Sequence, residues 1–208
     1  MKYLKDKGLI IIFFSVVILY GCASHSSYKL TNLDETTNIT ADYAGIKFYV
    51  KPFTDEDALV KYFGNDLVDI GIVPIQIRIK NESESEVAID CSNIKLIPPD
   101  EATIINSISA EEVYSMAKNG YWSTAIWTIA FLDLGFFASA ANITEANMRL
   151  DSDLQARLFK NGVIQRGRAT EGVVFFRIEP DTRSLANWKL STRVFPKKKD
   201  GLDLSISL

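Results

Sequence analysis

At 208 residues, 47% hydrophobic and 24% charged, the chain is long enough for one globular domain with a substantial core. Twenty-six acidic against 23 basic residues give a formal net charge of −3, an acidic balance that disfavours nucleic acid as a partner. The single histidine, His25, stands near the start, which excludes Ser-His-Asp and Cys-His machinery from a domain that begins after it and leaves that domain no histidine ligand for zinc.

Lys2, Lys5 and Lys7, with Asp6, precede the run "LIIIFFSVVILY" from Leu9 to Tyr20. A membrane-spanning helix needs about 20 apolar residues. This run is shorter and matches the apolar region of an export signal, with a basic start before it and small residues after it. Its exit, Leu19-Tyr20-Gly21-Cys22, resembles the bacterial lipobox. The resemblance implies lipid on the Cys22 sulfur, cleavage before Cys22 and an acylated new amino terminus. Each buried methylene contributes about 0.8 kcal/mol, so two or more chains hold a protein at a bilayer where one does not. An ordinary signal peptide, or an uncleaved anchor with Cys22 incidental, is the alternative. Residues 1–21 are thus expected as signal peptide and 22–44, rich in Ser, Thr, Asn and Asp, as a flexible tether. Ala23 after the cysteine resembles enterobacterial lipoproteins sorted to the outer membrane, facing the periplasm, which applies to a host with two membranes. Removal of the signal leaves Cys91 as the one further cysteine, so no internal disulfide forms. Its place beside Val87 and Ile89 on a strand face predicts burial.

From Gly45 the pattern is that of strands. "IKFYVKPF" alternates Ile46, Phe48 and Val50 with Lys47, Tyr49 and Lys51. Thr54 is expected to cap a short helix with Asp55, Glu56 and Asp57 in its first turn, an apolar side of Ala58, Leu59, Tyr62 and Phe63, and an end at Gly64-Asn65. "IGIVPIQIRIKN" sets Val73, Ile75, Ile77 and Ile79 against Pro74, Gln76, Arg78 and Lys80, a half-buried strand. Pro74, lacking an N–H, belongs at an edge or near the strand start. Asn81 to Glu86 reads as a polar turn. In "VAIDCSNIKLIPP" the apolar phase slips from Val87, Ile89 and Cys91 to Ile94 and Leu96, which suggests a bulge at Ser92-Asn93. Strands are expected again at 172–179, 187–195 and 202–208, with Asp200-Gly201 as a hairpin turn and the continuous run Val173 to Phe176 buried on both faces. The fold class is mainly β with an α insertion: an immunoglobulin-like antiparallel β-sandwich over 45–208, with a helical hairpin inserted at about 107–160.

The insertion opens with a capping box, Ser109 to Glu112, on a helix through Lys118. A second helix is expected over Ala141 to Lys160, with Met148, Leu150, Leu154 and Leu158 near one side and an end at Asn161-Gly162. Between them lies "YWSTAIWTIAFLDLGFFASAA", residues 121–141. "FGNDLVDIGIVPIQIRIKNES", this apolar middle, "ANMRLDSDLQARLFKNGVI" and "EGVVFF" together resemble a group of uncharacterised bacterial lipoproteins in which an immunoglobulin-like β-domain carries an apolar helical insertion. The resemblance implies that fold and no assigned activity.

Residues 121–141 are long enough to span a bilayer, and their Ile, Leu and Phe residues favour insertion by roughly 3 kcal/mol, but a central Asp133 costs about as much. A single crossing would also separate the early strands from the late ones. A helical hairpin bent near Asp133-Leu134-Gly135, outside the hydrocarbon centre, is therefore expected. Its apolar surface either packs on the protein's own β-domain or docks on a lipid surface or another envelope protein. Tyr121, Trp122, Trp127, Phe131, Phe136 and Phe137 are the candidate docking residues, because amphipathic rings settle at interfaces. Use of 121–141 as a transmembrane segment is a third possibility.

For chemistry the sequence offers little. The carboxylates Asp55, Glu56 and Asp57, then Asp66 and Asp69, fit helix-start roles better than a calcium or glycosidase site. No metal site, cofactor or catalytic residue is expected. The sequons at Asn38, Asn81 and Asn142 are read as chance, and Lys197-Lys198-Lys199 as a solvated hairpin tip. The expected function is a lipid-anchored, non-enzymatic envelope protein that acts by binding. The alternative is a small-ligand carrier or enzyme with a site of tyrosines and carboxylates.

Overall fold

The computed structural model describes residues 29–34, 39–64, 66–117, 151–152, 154–197 and 200–208. Among the described residues ten strands are almost wholly antiparallel in their pairing. They are β1 Ile39–Tyr43, β2 Ile46–Pro52, β3 Ile72–Asn81, β4 Val87–Ile89, β5 Lys95–Ile97, β6 Ile105–Ile108, β7 Gly162–Ile164, β8 Ala169–Arg177, β9 Lys189–Pro196 and β10 Leu202–Ser207. One group runs β1-β2-β3-β8-β6, and the other places β10 on one edge of β9 with β4 and β5 end to end on its other edge. β6 joins the groups: Ile105 and Asn106 pair with β5, while Ser107 and Ile108 pair with β8. Among the described residues three α-helical stretches accompany them: α1 Glu56–Phe63, α2 at 110–117 and α3 at 151–157, in which residue 153 is not described.

Alternation along the strands builds one core between the two groups. Ile46, Phe48 and Val50 of β2, Val73, Ile75, Ile77 and Ile79 of β3, and Val174 and Phe176 of β8 meet Val87, Ile89, Leu96, Leu190, Val194, Leu204 and Ile206. β8 is buried on both sides, as the continuous apolar run requires: Val173 and Phe175 point the other way, into a second core with Phe53, Leu59, Phe63, Ile72, Val113 and Leu154. That outer core is where α1, α2 and α3 lie on the β3–β8 surface.

Thr192 faces the inner core between Leu190 and Val194 and is 1% exposed, with its hydroxyl oxygen unpartnered among the described residues. A buried hydroxyl without a partner costs stability that an isosteric methyl does not. Thr192→Val is expected to add ~1 kcal/mol, a rise of about 2–4 °C in thermal midpoint. A midpoint that falls in calorimetry would contradict the orphaned hydroxyl.

Local details depart from the sequence expectations in ways that have physical causes. Asp55, not Thr54, caps α1, its carboxylate accepting the Ala58 N–H at 2.9 Å, and Gly64 closes the helix in the left-handed region with its N–H on the Val60 carbonyl. Pro74 is third in β3, a strand with neighbours on both sides. Its carbonyl accepts the Phe53 N–H at 2.9 Å, but it has no N–H to return, and the β2–β3 ladder ends at Pro52↔Ile75. The missing donor therefore falls where the ladder stops. The phase slip after Ile89 is a 3-10 turn, Cys91–Asn93, so Asp90 to Ile94 stand where β9 has only Thr192 and Arg193. Asp200-Gly201 is not the hairpin turn. The β9–β10 register runs from Leu202↔Val194, which puts both residues on the returning limb, and Gly201 packs against Arg193 and Phe195. The tether expected over 22–44 gives way to structure in two places. β1 pairs with β2 from Ile39↔Val50 to Tyr43↔Ile46, and Leu30, Thr31 and Leu33 contact the β-domain. α3 ends before Leu158, which bridges in parallel to Val173, so the expected helix to Lys160 is cut short, and 161–164 turns into β7.

Candidate interaction face

The outer surface of β2, β3 and β8 gathers four segments that are distant in sequence. At one end of β3–β8, α1 supplies Leu59 and Phe63, α2 supplies Ala110, Val113 and Ala117, and α3 supplies Leu154. α2 begins as expected: the Ser109 hydroxyl accepts the Glu112 N–H at 3.1 Å. Aromatic rings stiffen this end. Phe53 meets Tyr62 and Phe63 edge-on with centroids 5.5 and 5.3 Å apart, and Phe63 meets Phe175 at 6.0 Å. The Arg157 guanidinium of α3 lies 5.8 Å over the Phe63 ring and donates to the Tyr62 carbonyl. Both ends of the insertion, α2 entering and α3 returning, thus rest on one surface.

At the other end of the same surface three polar side chains hold residues 31–33. Gln76 and Arg78 alternate with the inner-core residues of β3, and Arg78 stands opposite Glu171 of β8. Gln76 Nε2 donates to the Thr31 carbonyl at 2.8 Å and to Glu171 Oε1 at 2.6 Å. The same carboxylate oxygen accepts the Leu33 N–H at 3.0 Å, while Arg78 Nη1 donates to the Leu33 carbonyl at 3.0 Å and pairs with Glu171 Oε2 at 3.6 Å. Leu33 is 2% exposed and Leu30 packs at the edge of the outer core. Both backbone groups of Leu33 are satisfied by side chains.

Alternation sets Gln76 and Arg78 on the polar side of a half-buried strand without saying whether that side is covered. Gln76 is 2% exposed. The signal that could have shown the cover is Leu30 and Leu33, two leucines in an otherwise polar stretch. The lipid-attachment candidate Cys22 and the docking candidates Tyr121, Trp122, Trp127, Phe131, Phe136 and Phe137 lie outside the described residues.

Of the carboxylates singled out from the sequence, Asp55 caps α1, and Asp66 and Asp69 face Arg183. Asp66, 8% exposed, accepts the Val68 N–H through Oδ1 and the Arg183 guanidinium through Oδ2 at 2.6 Å, and Arg183 also reaches Asp69. The hydrogen bond that Arg183 donates to Asp66, and the charges of Asp66, Asp69 and Glu56, raise the Arg183 pKa further. Among the described residues no group of three or more His, Cys, Asp or Glu side chains could hold a metal ion. Cys91 is half-buried, its thiol directed at the Phe159 carbonyl at 3.2 Å. Burial, then the neighbouring Asp90 charge, pushes its pKa up. Alkylation by iodoacetamide at pH 8 is therefore expected to be several-fold slower in the native protein than in urea, and equal rates would show an accessible thiolate.

No protein-family model matches the chain, and no curated protein matches it. Among solved structures it is similar to the yjhA protein of Bacillus subtilis, with 12% identity, 81% of this chain and 95% of that chain covered, and a TM-score of 0.44. It is also similar to "a putative lipoprotein (ycdA)" of Bacillus subtilis, at 9% identity and a TM-score of 0.41, over 82% of this chain and 39% of that one. A third similarity is to a DUF4426 family protein of Pseudomonas aeruginosa, at 8% identity, over 80% and 90% of the two chains, with a TM-score of 0.33.

Proposed function

We propose that this chain is a lipid-anchored protein of the bacterial envelope that acts by binding rather than by catalysis. In this reading its β-domain is an immunoglobulin-like sandwich, and in a host with two membranes it sits on the outer membrane facing the periplasm. The observation that carries the binding mode is the pairing of Ser107 and Ile108 in β6 with Phe176 and Phe175 in β8. These strands flank the apolar insertion, and α2 and α3 return its two ends to one surface. A single crossing of the bilayer between β6 and β8 is incompatible with that ladder, which favours an insertion that approaches a lipid surface or an envelope partner from one side. Among the described residues no helix is long and apolar enough to cross a membrane.

The anchor is tested by intact mass and fractionation. The mature protein should begin at Cys22 and carry acyl chains there, and Cys22→Ser should move it from the membrane fraction to the soluble one. An unmodified Cys22 thiol, or a retained Met1, would sink the reading. Crosslinking from positions 122 and 127 in cells, compared with a 121–141 deletion, then separates a lipid contact from a protein partner.

A further inference from the structure

We propose that the outer surface of β2, β3 and β8 is the membrane-facing side of the domain, turned toward the bilayer that holds its own lipid, and that the Gln76–Arg78–Glu171 clamp enforces this orientation. The inference rests on the lipid-anchor reading and deepens it by committing to one occupant, the surface of the anchoring bilayer.

The length of chain between anchor and clamp carries it. A fully extended chain spans at most about 3.3–3.6 Å per residue, so the stretch from Cys22 to Thr31 reaches about 30 Å. The clamp therefore sets the exit of this short tether on the broad surface of the β3–β8 pair. Thr31 and Leu33 are bound through backbone groups to three side chains from two neighbouring strands, which fixes where the chain leaves the domain. The same surface carries α2 and α3, so the insertion starts and ends on the side that the short tether holds nearest the lipid.

Two exposed positions report the orientation. Val60, 48% exposed, lies on α1 over the outer core, whereas Val163, 61% exposed, precedes inner-core Ile164 in β7 and points away on the opposite face of the molecule. Full-length lipidated protein with Cys91→Ala and either Val60→Cys or Val163→Cys would carry a fluorescent donor. It would be placed in phosphatidylethanolamine–phosphatidylglycerol vesicles doped with a rhodamine-lipid acceptor. Two sheet layers about 10 Å apart and a helix about 10 Å across separate the positions, so transfer from position 60 should exceed that from 163 by about two-fold. A Gly-Ser insert of about twelve residues after Ser27, which leaves every described residue intact and more than doubles the reach, should bring the ratio to one. Glu171→Gln with Gln76→Ala should do the same. Equal transfer from both positions, or more from 163, in protein whose mass shows acylated Cys22 overturns the orientation while the anchor stands. A ratio that survives both the linker and the clamp change overturns the role of the clamp. Absence of acylation removes the anchor reading itself, a separate result seen in the mass alone.

Discussion

Gly172→Ala is expected to lower the thermal midpoint by roughly 6–12 °C, the equivalent of about 3 kcal/mol for a chain of this size. A methyl group at this position would meet the Phe159 Cα and N at 2.5 Å and the Leu158 carbonyl carbon at 2.8 Å. All are backbone atoms and cannot rotate aside. The close approach is built into the fold: Leu158 bridges to Val173, and the Phe159 N–H donates to the Val173 carbonyl at 2.9 Å. Here the chain returning from the insertion crosses β8 on its way to β7. A glycine with an ordinary φ is required here for proximity and not for conformation. The Phe159 amide, protected by its bond to Val173, should exchange with solvent markedly faster in the variant. A variant as stable as the parent, with Phe159 still protected, would mean that the crossing is looser than this geometry.

Asn81→Ala is the second large effect, a loss of ~3 kcal/mol. Asn81 is 0% exposed, and each buried polar partner left unsatisfied costs about 1–3 kcal/mol. Its Nδ2 donates to the Ser85 carbonyl at 2.8 Å and the Ile164 carbonyl at 2.9 Å, and its Oδ1 accepts the Ser83 N–H at 3.0 Å and the Ser83 hydroxyl at 2.6 Å. Its backbone is engaged too, the N–H on the Arg168 carbonyl and the carbonyl on the Gly167 N–H. One residue thus ties the loop from β3 to β4 to the loop from β7 to β8, the two connections that pass between the strand groups at this end. Asn81→Asp preserves the acceptor for Ser83 but sets a carboxylate oxygen against two carbonyl oxygens in a site closed to water, and should be at least as damaging. Urea midpoints for both variants check the expectation. An Asp variant as stable as the parent would show that the amide group is turned the other way round.

Asn81 also marks the limit of what was legible beforehand. Its polar neighbourhood, Asn81 to Glu86, reads as a solvated turn, and most of it is: Glu82 is exposed and pairs with Lys47 and Lys80. Polarity states what a side chain loses on leaving water. It does not state whether distant carbonyls will restore it, and those of Ile164 and Arg168 lie more than 80 residues away. Gln76 and Glu171 were missed for the same reason, since the segment that covers them approaches from more than 40 residues upstream of the one and 138 upstream of the other. Short strands such as β6 and β7 went unread because three or four residues carry too little alternation to stand out.

What the sequence determined by itself is whatever depends on neighbours along the chain. That includes the period of two that buries Ile46, Phe48 and Val50 on one side, the unbroken run of β8 that needs cover on both faces, the Ser109 cap, and the basic-then-apolar start that ends at Cys22. Only the tertiary structure decided which segments meet: α2 and α3 on one surface, residues 31–33 in a three-residue clamp, Asn81 between two loops, and backbone against Gly172. Local pattern sets how much surface a segment must hide and how it can be paired. The partner that hides it is selected by packing among elements far apart in the chain, a choice that periodicity and polarity leave open.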